Sequence, residues 1–495
     1  MQKLAKILTV EQVRACDKHS MAKSNISSIE LMEKASLAFV EAIEKEKLSN
    51  KKILVLCGPG NNGGDGLAVC RILQNKGYAA DAVLVQFKEK LSPACEKNLE
   101  RLESCKIIGS SSELSYLEEY ELLIDALLGT GLSKKVEGFL AQVIEKINQA
   151  KKTVYSVDIP SGLASDTLLA DAKAIKADLC ISFQRPKLAF FFPENEEFIQ
   201  AWKVVDIGLD EAFIQQQDTT NFVLDKAIEE ELKARNKFSH KGSFGHALIL
   251  AGSYGKIGAA VLATRACLRS GAGLVSAYVP SCAYQIMQSA APESMCLTDE
   301  NEKFLSSCPD LQAYSALGIG PGIGTENSTL QFLEKLLSAC QVPLVLDADA
   351  LNLLAKKPEL LTRLPENSIL TPHPKEFARL VGEAANSIVS LEKQRAFALK
   401  HKCIIIVKGA NTRVCCSEGN IYFNTTGNPG MASGGSGDVL SGIICGLLAQ
   451  GYAPLEASLL GVYFHGLAGD KAAEKKGETA MIASDIIENL RIEKT

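Results

Sequence analysis

Apolar positions along the chain follow two rhythms. From Glu11 to Cys16 and from Ile29 to Ile43 they recur at three- and four-residue spacings, the period of a helix with one buried face. From Lys51 onward they form short unbroken runs closed by glycine or aspartate. KKILVLCGPGNNGGDGLAVCRILQNKG reads as a strand, a glycine-rich turn and a helix ended by Gly77. DAVLVQF, ELLIDALLGTG, TVYSVDIPSG and LCISF read as further strands, with helical stretches between several of them. This alternation predicts an α/β fold, a mostly parallel sheet with helices on both faces.

The pattern weakens at residues 211–222, EAFIQQQDTTNF, which are polar and without clear period. There the chain is expected to pass between domains, one spanning 1–215 and the other 222–495. The second half restarts the same grammar. HALILAGS leads to a glycine turn, ATRACLRSGAG reads as a helix and LVSAYVP as a strand. SALGIGPGIG, PLVLDADAL, SILTPHP and CIIIVKGANTRVCC follow as strand-and-loop units, and a helix follows GGSGD.

Composition narrows the function classes. The chain has 495 residues, 46% hydrophobic and 22% charged, with a net charge of -5. That mixture is ordinary for a folded protein, and no basic surplus points to a nucleic-acid partner. Fifteen cysteines are scattered, odd in number and never spaced C-x-x-C, so reduced thiols packed as small hydrophobes are expected. Charges follow the short run ILTV at once, so no signal peptide is expected. VLSGIICGLLAQGYAPL, from Val439, is broken by Gly, Ser and Pro and reads as a buried helix, not a membrane span. A cytoplasmic homo-oligomer with no membrane partner is the expectation.

Gly58, Gly60 and Gly63 spell G-x-G-x-x-G between a strand and a helix, a place where backbone amides and a helix N-terminus can hold a pyrophosphate. A dehydrogenase would also carry an acid at the end of the next strand, to meet the ribose. Asp81 opens DAVLVQF instead of closing it, and the strand's end offers Gln86 and Lys88. NNGGDG places two amides, two glycines and Asp65 in the turn itself, which suits a polar ligand plus a cation; a helix cap is the structural alternative for Asp65. Asp125 before GTGLSKK, and VDIPSG with Asp158 and Ser161, should reach the same sheet edge. Asn62, Asp125 and Ser161 are hard oxygen ligands of low total charge, fitting a monovalent cation better than zinc.

GPGNNGGDGLAVCR, DALLGTGL and VDIPSGL, in that order, resemble the NAD(P)HX epimerase (YjeF N-terminal) family over residues 1–215. The resemblance implies a Rossmann-like three-layer domain with K+ held by Asn62, Asp125 and Ser161. It implies a hydrated nicotinamide dinucleotide bound by Asn62, Gly63, Gly64, Asp65 and Gly66, by the loop Gly129, Thr130, Gly131, Leu132, Ser133, Lys134 and Lys135, and by Asp158. Inverting the hydroxylated ring carbon needs a group that trades protons with the substrate. Asp158 is the candidate, with substrate positioning as its other possible role.

In the second half no G-x-x-x-x-G-K-[ST] occurs, which excludes a Walker-type phosphate loop. GNPGMASGGSGDVLSGI instead runs a glycine-dense segment into an apolar helix. Gly434, Gly435 and Gly437 expose amides at the helix start, an anion site, and Asp438 sits in the first turn. A carboxylate there can take the proton of an attacking hydroxyl while amides stabilise the phosphoryl oxygens.

GSYGKIGAA, GIGPGIG, LDADALN, LTPHPKEF, VKGANT and NPGMASGGSGDVLSG together resemble the ribokinase-like ADP/ATP-dependent NAD(P)HX dehydratase family, over about residues 222–490. That resemblance implies a hydrate pocket including Gly258, Gly322, His373 and Asp438, and a nucleotide site at Lys408, Gly409, Ala410, Asn411, Thr412 and Gly437. Lys408 ends an apolar strand and can reach phosphates as a point charge. His373 lies between Pro372 and Pro374 in a stiff loop, and Asp347 and Asp349 either orient magnesium-bound water or cap the next helix.

The combined expectation is a bifunctional repair enzyme for the substrates NADHX and NADPHX. One half exchanges the R and S epimers. The other dehydrates the S form through a phosphorylated hydrate, with Asp438 as base, Mg2+ on the nucleotide, and ADP (or ATP) as donor, giving AMP and phosphate. The alternative is a ribokinase-type kinase for a small alcohol or vitamin precursor, fused to a dinucleotide-sensing domain.

Overall fold

Seven strands make up the sheet of the N-terminal half: β1 (Ile53–Cys57), β2 (Ala80–Val85), β3 (Lys106–Ile108), β4 (Leu122–Ala126), β5 (Thr153–Val157), β6 (Leu179–Phe183) and β7 (Trp202–Val205). The structure is a computed structural model that describes residues 4–46, 48 and 51–494. Spatial order is β3-β2-β1-β4-β5-β6-β7, with every pair parallel. β1 and β4 are buried along their whole length, which is why they read as unbroken apolar runs. Their neighbourhood is also where the strand order reverses. Connections leave on opposite faces there, and the carboxyl ends open a ligand crevice.

Apolar side chains pack on both faces of this sheet. Phe39, Leu67 and Leu73 cover one face from the helices Ser28–Glu44 and Asn61–Asn75. Leu140, Val143 and Ile147 cover the other from Gly138–Gln149. The edge strands β3 and β7 are mostly exposed, and their short mixed sequences carry no pattern that marks them in advance.

The second sheet has ten strands: β8 (Asn221–Leu224), β9 (His246–Leu250), β10 (Leu274–Val279), β11 (Met295–Thr298), β12 (Ala316–Ile319), β13 (Leu344–Leu346), β14 (Ile369–Leu370), β15 (Ile404–Val407), β16 (Arg413–Cys415) and β17 (Ile421–Asn424). Their order is β11-β10-β9-β12-β13-β14-β15-β16-β17-β8. Only the β15–β16 and β16–β17 pairs are antiparallel, so CIIIVKGANTRVCC is a hairpin instead of one unit. The apolar segment from Val439 lies in the helix Ser436–Ala449, of whose 14 residues 12 are buried. Burial on all sides, not a bilayer, accounts for its hydropathy. Among the described residues no helix is long and apolar enough to cross a membrane.

Contacts divide the chain into two units, residues 6–219 and residues 220–495 together with 1–5. The expected N-terminal domain was to begin at residue 1. Leu4 instead is buried in the C-terminal core, and the Val223 N–H donates to the Ala5 carbonyl at 2.8 Å. Met1–Lys3 lie outside the described residues. The stretch 211–222 holds the short helix Glu211–Gln216 and then β8. With Ile214 as its single buried residue, that helix has no periodicity to read. All fifteen cysteines are free thiols, eleven of them buried.

Candidate active sites

In the N-terminal unit the helix Asn61–Asn75 starts directly from Gly60, so NNGGDG is its first turn and a half, not a loop. Asp65 therefore sits inside the helix, and the capping alternative falls. Tight packing explains the glycines. A Cβ on Gly63 would stand 1.7 Å from the Gly58 carbonyl oxygen, and one on Gly58 would stand 1.9 Å from that of Leu127. Only glycine lets the strand turn this sharply into the helix against the β4 loop.

Asn62 and Ser161 converge on the backbone of Leu128, and Asp125 joins them through Ser161 and the Leu127 N–H. The Asn62 amide donates to the Leu128 carbonyl at 2.9 Å, and the Leu128 N–H donates to Ser161 Oγ at 2.8 Å. Asp125, fully buried at the end of β4, accepts from the Ser161 hydroxyl (2.6 Å) and N–H (2.8 Å), the Ser156 hydroxyl (2.8 Å) and the Leu127 N–H (3.2 Å). Burial raises its carboxyl pKa, and the hydrogen bonds from Ser161, Ser156 and Leu127 oppose that rise. One carboxylate surrounded by neutral oxygens is a donor set suited to a monovalent cation. Among the described residues no cluster of three His, Cys, Asp or Glu side chains is arranged for a metal.

Gly129 packs beside Asn62, where an added Cβ would lie 3.2 Å from that of the asparagine. Thr130 and Leu132 are half-buried, while Gly131, Ser133, Lys134 and Lys135 are exposed. Lys135 pairs with the exposed Asp171 at 3.1 Å.

Asp158 stands beside a partner that no motif announced. Lys187 Nζ lies 2.7 Å from Asp158 Oδ1, and the same oxygen accepts the Phe183 N–H at 2.9 Å. Asp158 holds φ at 67°, a left-handed conformation uncommon outside glycine, so its direction is imposed by these surroundings. Two further carboxyls crowd the pair. Burial, then repulsion from Asp158, holds Asp17 up at about 6, and burial with repulsion from Asp158 and Asp17 holds Asp65 far above the usual range. Asp17 belongs to the helix Val10–Ser24. One turn earlier on that helix, the Arg14 guanidinium lies where a Cβ on Gly131 would meet it at 3.2 Å.

In the C-terminal unit the amide-rich helix start is real. Gly435 caps the helix Ser436–Ala449 in the left-handed region at φ 93°. Asp438, half-buried in the first turn, has its pKa raised to about 7. Burial is the main cause, with repulsion from Asp347 and Asp349 opposed by Lys408. Lys408, just after β15, is anchored: its Nζ donates to the buried Asp347 Oδ1 at 2.8 Å. Ser441 donates to Asp347 Oδ2 at 2.7 Å. A Cβ on Gly437 would lie 3.2 Å from Lys408 Nζ and 3.7 Å from Asp347 Oδ2, so the three belong to one cluster. Asp347 thus anchors the lysine instead of capping its helix. Asp349 accepts the Gly324 N–H at 2.9 Å and fixes the 321–324 loop.

Gly322 packs on the turn that begins the helix Ile257–Arg269 and contains Gly258. Gly409, Ala410, Asn411 and Thr412 form the turn after β15, closed by Thr412 Oγ1 donating to the Gly409 carbonyl at 3.0 Å. The Lys408 N–H donates to the Pro372 carbonyl at 3.0 Å, which ties that strand end to the His373 loop. His373 itself caps the helix Pro374–Val381. Its Nδ1 accepts the Lys375 N–H at 3.1 Å, and Nε2 lies 3.3 Å from Glu376. Beneath the glycine turn, buried His465 donates from Nε2 to the Ser436 carbonyl at 3.0 Å, and burial lowers its pKa to about 4.

Asp17, Lys187, Ser441 and His465 belong to no motif that marks them in the sequence. Position alone signals Lys187, because it follows β6 on the same carboxyl edge as Asp125 and Asp158. The other three sit in ordinary helical patterns.

Comparison with known proteins covers the same two stretches. A family model described as YjeF-related protein N-terminus matches residues 28–189, and one described as NAD(P)H-hydrate dehydratase matches residues 247–491. A bifunctional NAD(P)H-hydrate repair enzyme of Moorella thermoacetica is 36% identical over 98% of this chain and 96% of its own length. One from Coxiella burnetii is 35% identical over 97% and 98%. A crystal structure of a ribokinase-like superfamily protein from Enterococcus faecalis superposes with a TM-score of 0.50 at 28% identity, covering 56% of this chain and 99% of that one. Full-length similarity at this level joins both halves in one lineage: the chain belongs to the family of bifunctional NAD(P)H-hydrate repair enzymes.

Proposed function

We propose that the N-terminal unit exchanges the epimers of hydrated NADH and NADPH at the Asp158 cluster, and that the C-terminal unit dehydrates the S epimer at Asp438 with ADP as phosphoryl donor. The observation that carries the reading is the pairing, in each unit, of a carboxyl group with a buried ion pair at the mouth of a glycine-lined helix start.

The hydroxyl to be inverted sits on a carbon bonded to the ring nitrogen. Opening and reclosing that carbon–nitrogen bond inverts the centre if one group takes the hydroxyl proton and another supplies one to nitrogen. Asp158, paired with Lys187, is the acceptor. Asp65 is the donor, its carboxyl kept protonated by burial and by two neighbouring carboxylates. Asn62, Asp125, Ser161 and the Leu128 carbonyl would hold K+, which supplies positive charge beside the dinucleotide phosphates. The free amides of residues 62 and 63 at the start of the helix, backed by Gly64, Asp65 and Gly66, and the loop 129–135 hold the remainder.

In the other half hydroxide is a poor leaving group, so elimination needs the hydroxyl converted to a phosphate. Asp438 accepts the hydroxyl proton as oxygen attacks the terminal phosphorus of ADP, and AMP departs. The electron pair of the ring nitrogen then expels phosphate, and loss of a proton from the adjacent ring carbon restores the double bond. Lys408 and the amides at Gly434–Gly437 neutralise the phosphoryl oxygens. Asp347 and Asp349 lie where they would face a magnesium ion carried by the nucleotide phosphates, which would screen the charge between them. Gly258, Gly322 and His373 line the hydrate side, and residues 409–412 the nucleotide side.

The test is incubation of the protein with mixed hydrate epimers, ADP and magnesium. Recovery of reduced-nicotinamide absorbance from both epimers supports the reading. A stable phosphorylated product with no reduced cofactor would favour a kinase.

A further inference from the structure

We infer that the cavity at the carboxyl end of β2 takes the adenosine half of the hydrated dinucleotide, and that Lys88 and Lys135 on its wall bind a ribose 2′-phosphate, so that the epimerase half prefers hydrated NADPH. The inference rests on the epimerase reading given above and extends it to substrate choice.

Strand topology sets where the two nucleosides lie. With strand order β3-β2-β1-β4-β5, a pyrophosphate held at the start of the helix Asn61–Asn75 leaves one nucleoside over β4 and β5 and the other over β2. The side of β4 and β5 carries Asp125 and Asp158, and therefore the reacting ring. The side of β2 carries a cavity of about 650 Å³, large enough for an adenosine. Its wall is formed by Gln86, Phe87 and Lys88 from the end of β2 and by Leu128, Lys135 and Phe139 from beyond β4. Leu128 belongs to both places, since its carbonyl accepts from Asn62. The cavity therefore borders, through Leu128, the cluster of Asn62 and Ser161.

A fold of this topology that grips an unphosphorylated ribose places an acid at the end of β2. Here Asp81 stands at the other end of that strand and is engaged by the Tyr120 hydroxyl at 2.8 Å. The strand end bears Gln86 and the exposed Lys88. Across the cavity Lys135 is paired with the exposed Asp171, a surface pair that a phosphate dianion can displace. Glu89 and Glu137 also border the cavity. Glu89 is the residue that would grip a bare ribose if the inference were wrong.

The experiment measures kcat/KM for epimer exchange of hydrated NADPH and hydrated NADH by the full chain, with ADP omitted so that dehydration is silent. The unmodified protein should favour the NADPH hydrate by about tenfold or more, the worth of one charged hydrogen bond. Lys88→Ala and Lys135→Ala should each lower that ratio by several-fold, and the double variant should bring it close to one. The inference is overturned if the lysine variants leave the ratio unaltered, or if Glu89→Gln alone selectively slows the NADH hydrate. Failure of the unmodified chain to exchange either hydrate would refute the underlying epimerase reading, a result separable from a mere change of ratio.

Discussion

Lys187 Nζ lies 2.7 Å from Asp158 Oδ1, and the lysine exposes only 1% of its surface. A lysine buried this deeply needs its anion, and the anion is the group to which the proposed epimerisation assigns the hydroxyl proton.

Lys187→Met leaves the Asp158 carboxylate without its partner in a half-buried site. The expected cost to the N-terminal unit is about 3–5 kcal/mol, read from denaturant unfolding. Epimer exchange should fall by at least about a hundredfold, the usual contribution of positioned acid–base groups. Lys187→Arg should restore part of it. Dehydration of purified S epimer, carried by the other unit, should stay within twofold of normal. Exchange at the normal rate in the methionine variant would remove Lys187 from the account.

Asp125 gathers four hydrogen bonds and offers the only carboxylate of the proposed cation set. Replacing potassium with a bulky organic cation should slow epimer exchange and leave dehydration unchanged. Asp125→Asn should abolish that potassium response. Equal loss in both activities on potassium removal would contradict the assignment.

Asp438 must be ionised to accept a proton, and its pKa stands at about 7 instead of the ordinary carboxylate range. Below that pH the carboxyl is protonated and cannot act as base; above it the base is available. The kcat/KM for dehydration should therefore drop about tenfold per pH unit on the acid side of neutrality and level off above it. A limb near pH 4 would show that burial and Asp347 do not shape the base as described.

Lys408 donates to Asp347, and the proposed function assigns it to the phosphates of the bound nucleotide as well. Lys408→Ala should raise the KM for ADP by about tenfold or more, the worth of a charge-assisted contact. Epimer exchange should be unaffected. An unchanged KM for ADP would place the nucleotide elsewhere.

Much of this was legible in the chain because buried parallel strands leave apolar runs and their carboxyl-end loops leave glycine, aspartate and serine. Asp125, Ser161 and Asn62 could be grouped in advance by the rule that such loops share one crevice, and Leu128 is the backbone link between Ser161 and Asn62. Glycine disfavours helices, so NNGGDG looks like a turn in the sequence alone. Contact with Gly58 and Leu127 overrides that propensity. Asp17 and Lys187 could not be paired from their spacing, since only the folded sheet brings a helix before β1 and a loop after β6 to the same carboxylate. The role of Asp347 was ambiguous for the same reason: its partners Lys408 and Ser441 lie 61 and 94 residues away.

The central claim is that two separate chemistries on one metabolite are carried by two halves, with Asp438 as the base for phosphoryl transfer. Its most direct test is Asp438→Asn supplied with pure R epimer, ADP and magnesium, with epimer composition and reduced-nicotinamide absorbance followed together. The account predicts that R converts to the equilibrium mixture at the normal rate while absorbance recovery falls at least about a hundredfold. Recovery of the reduced cofactor at the normal rate would contradict it.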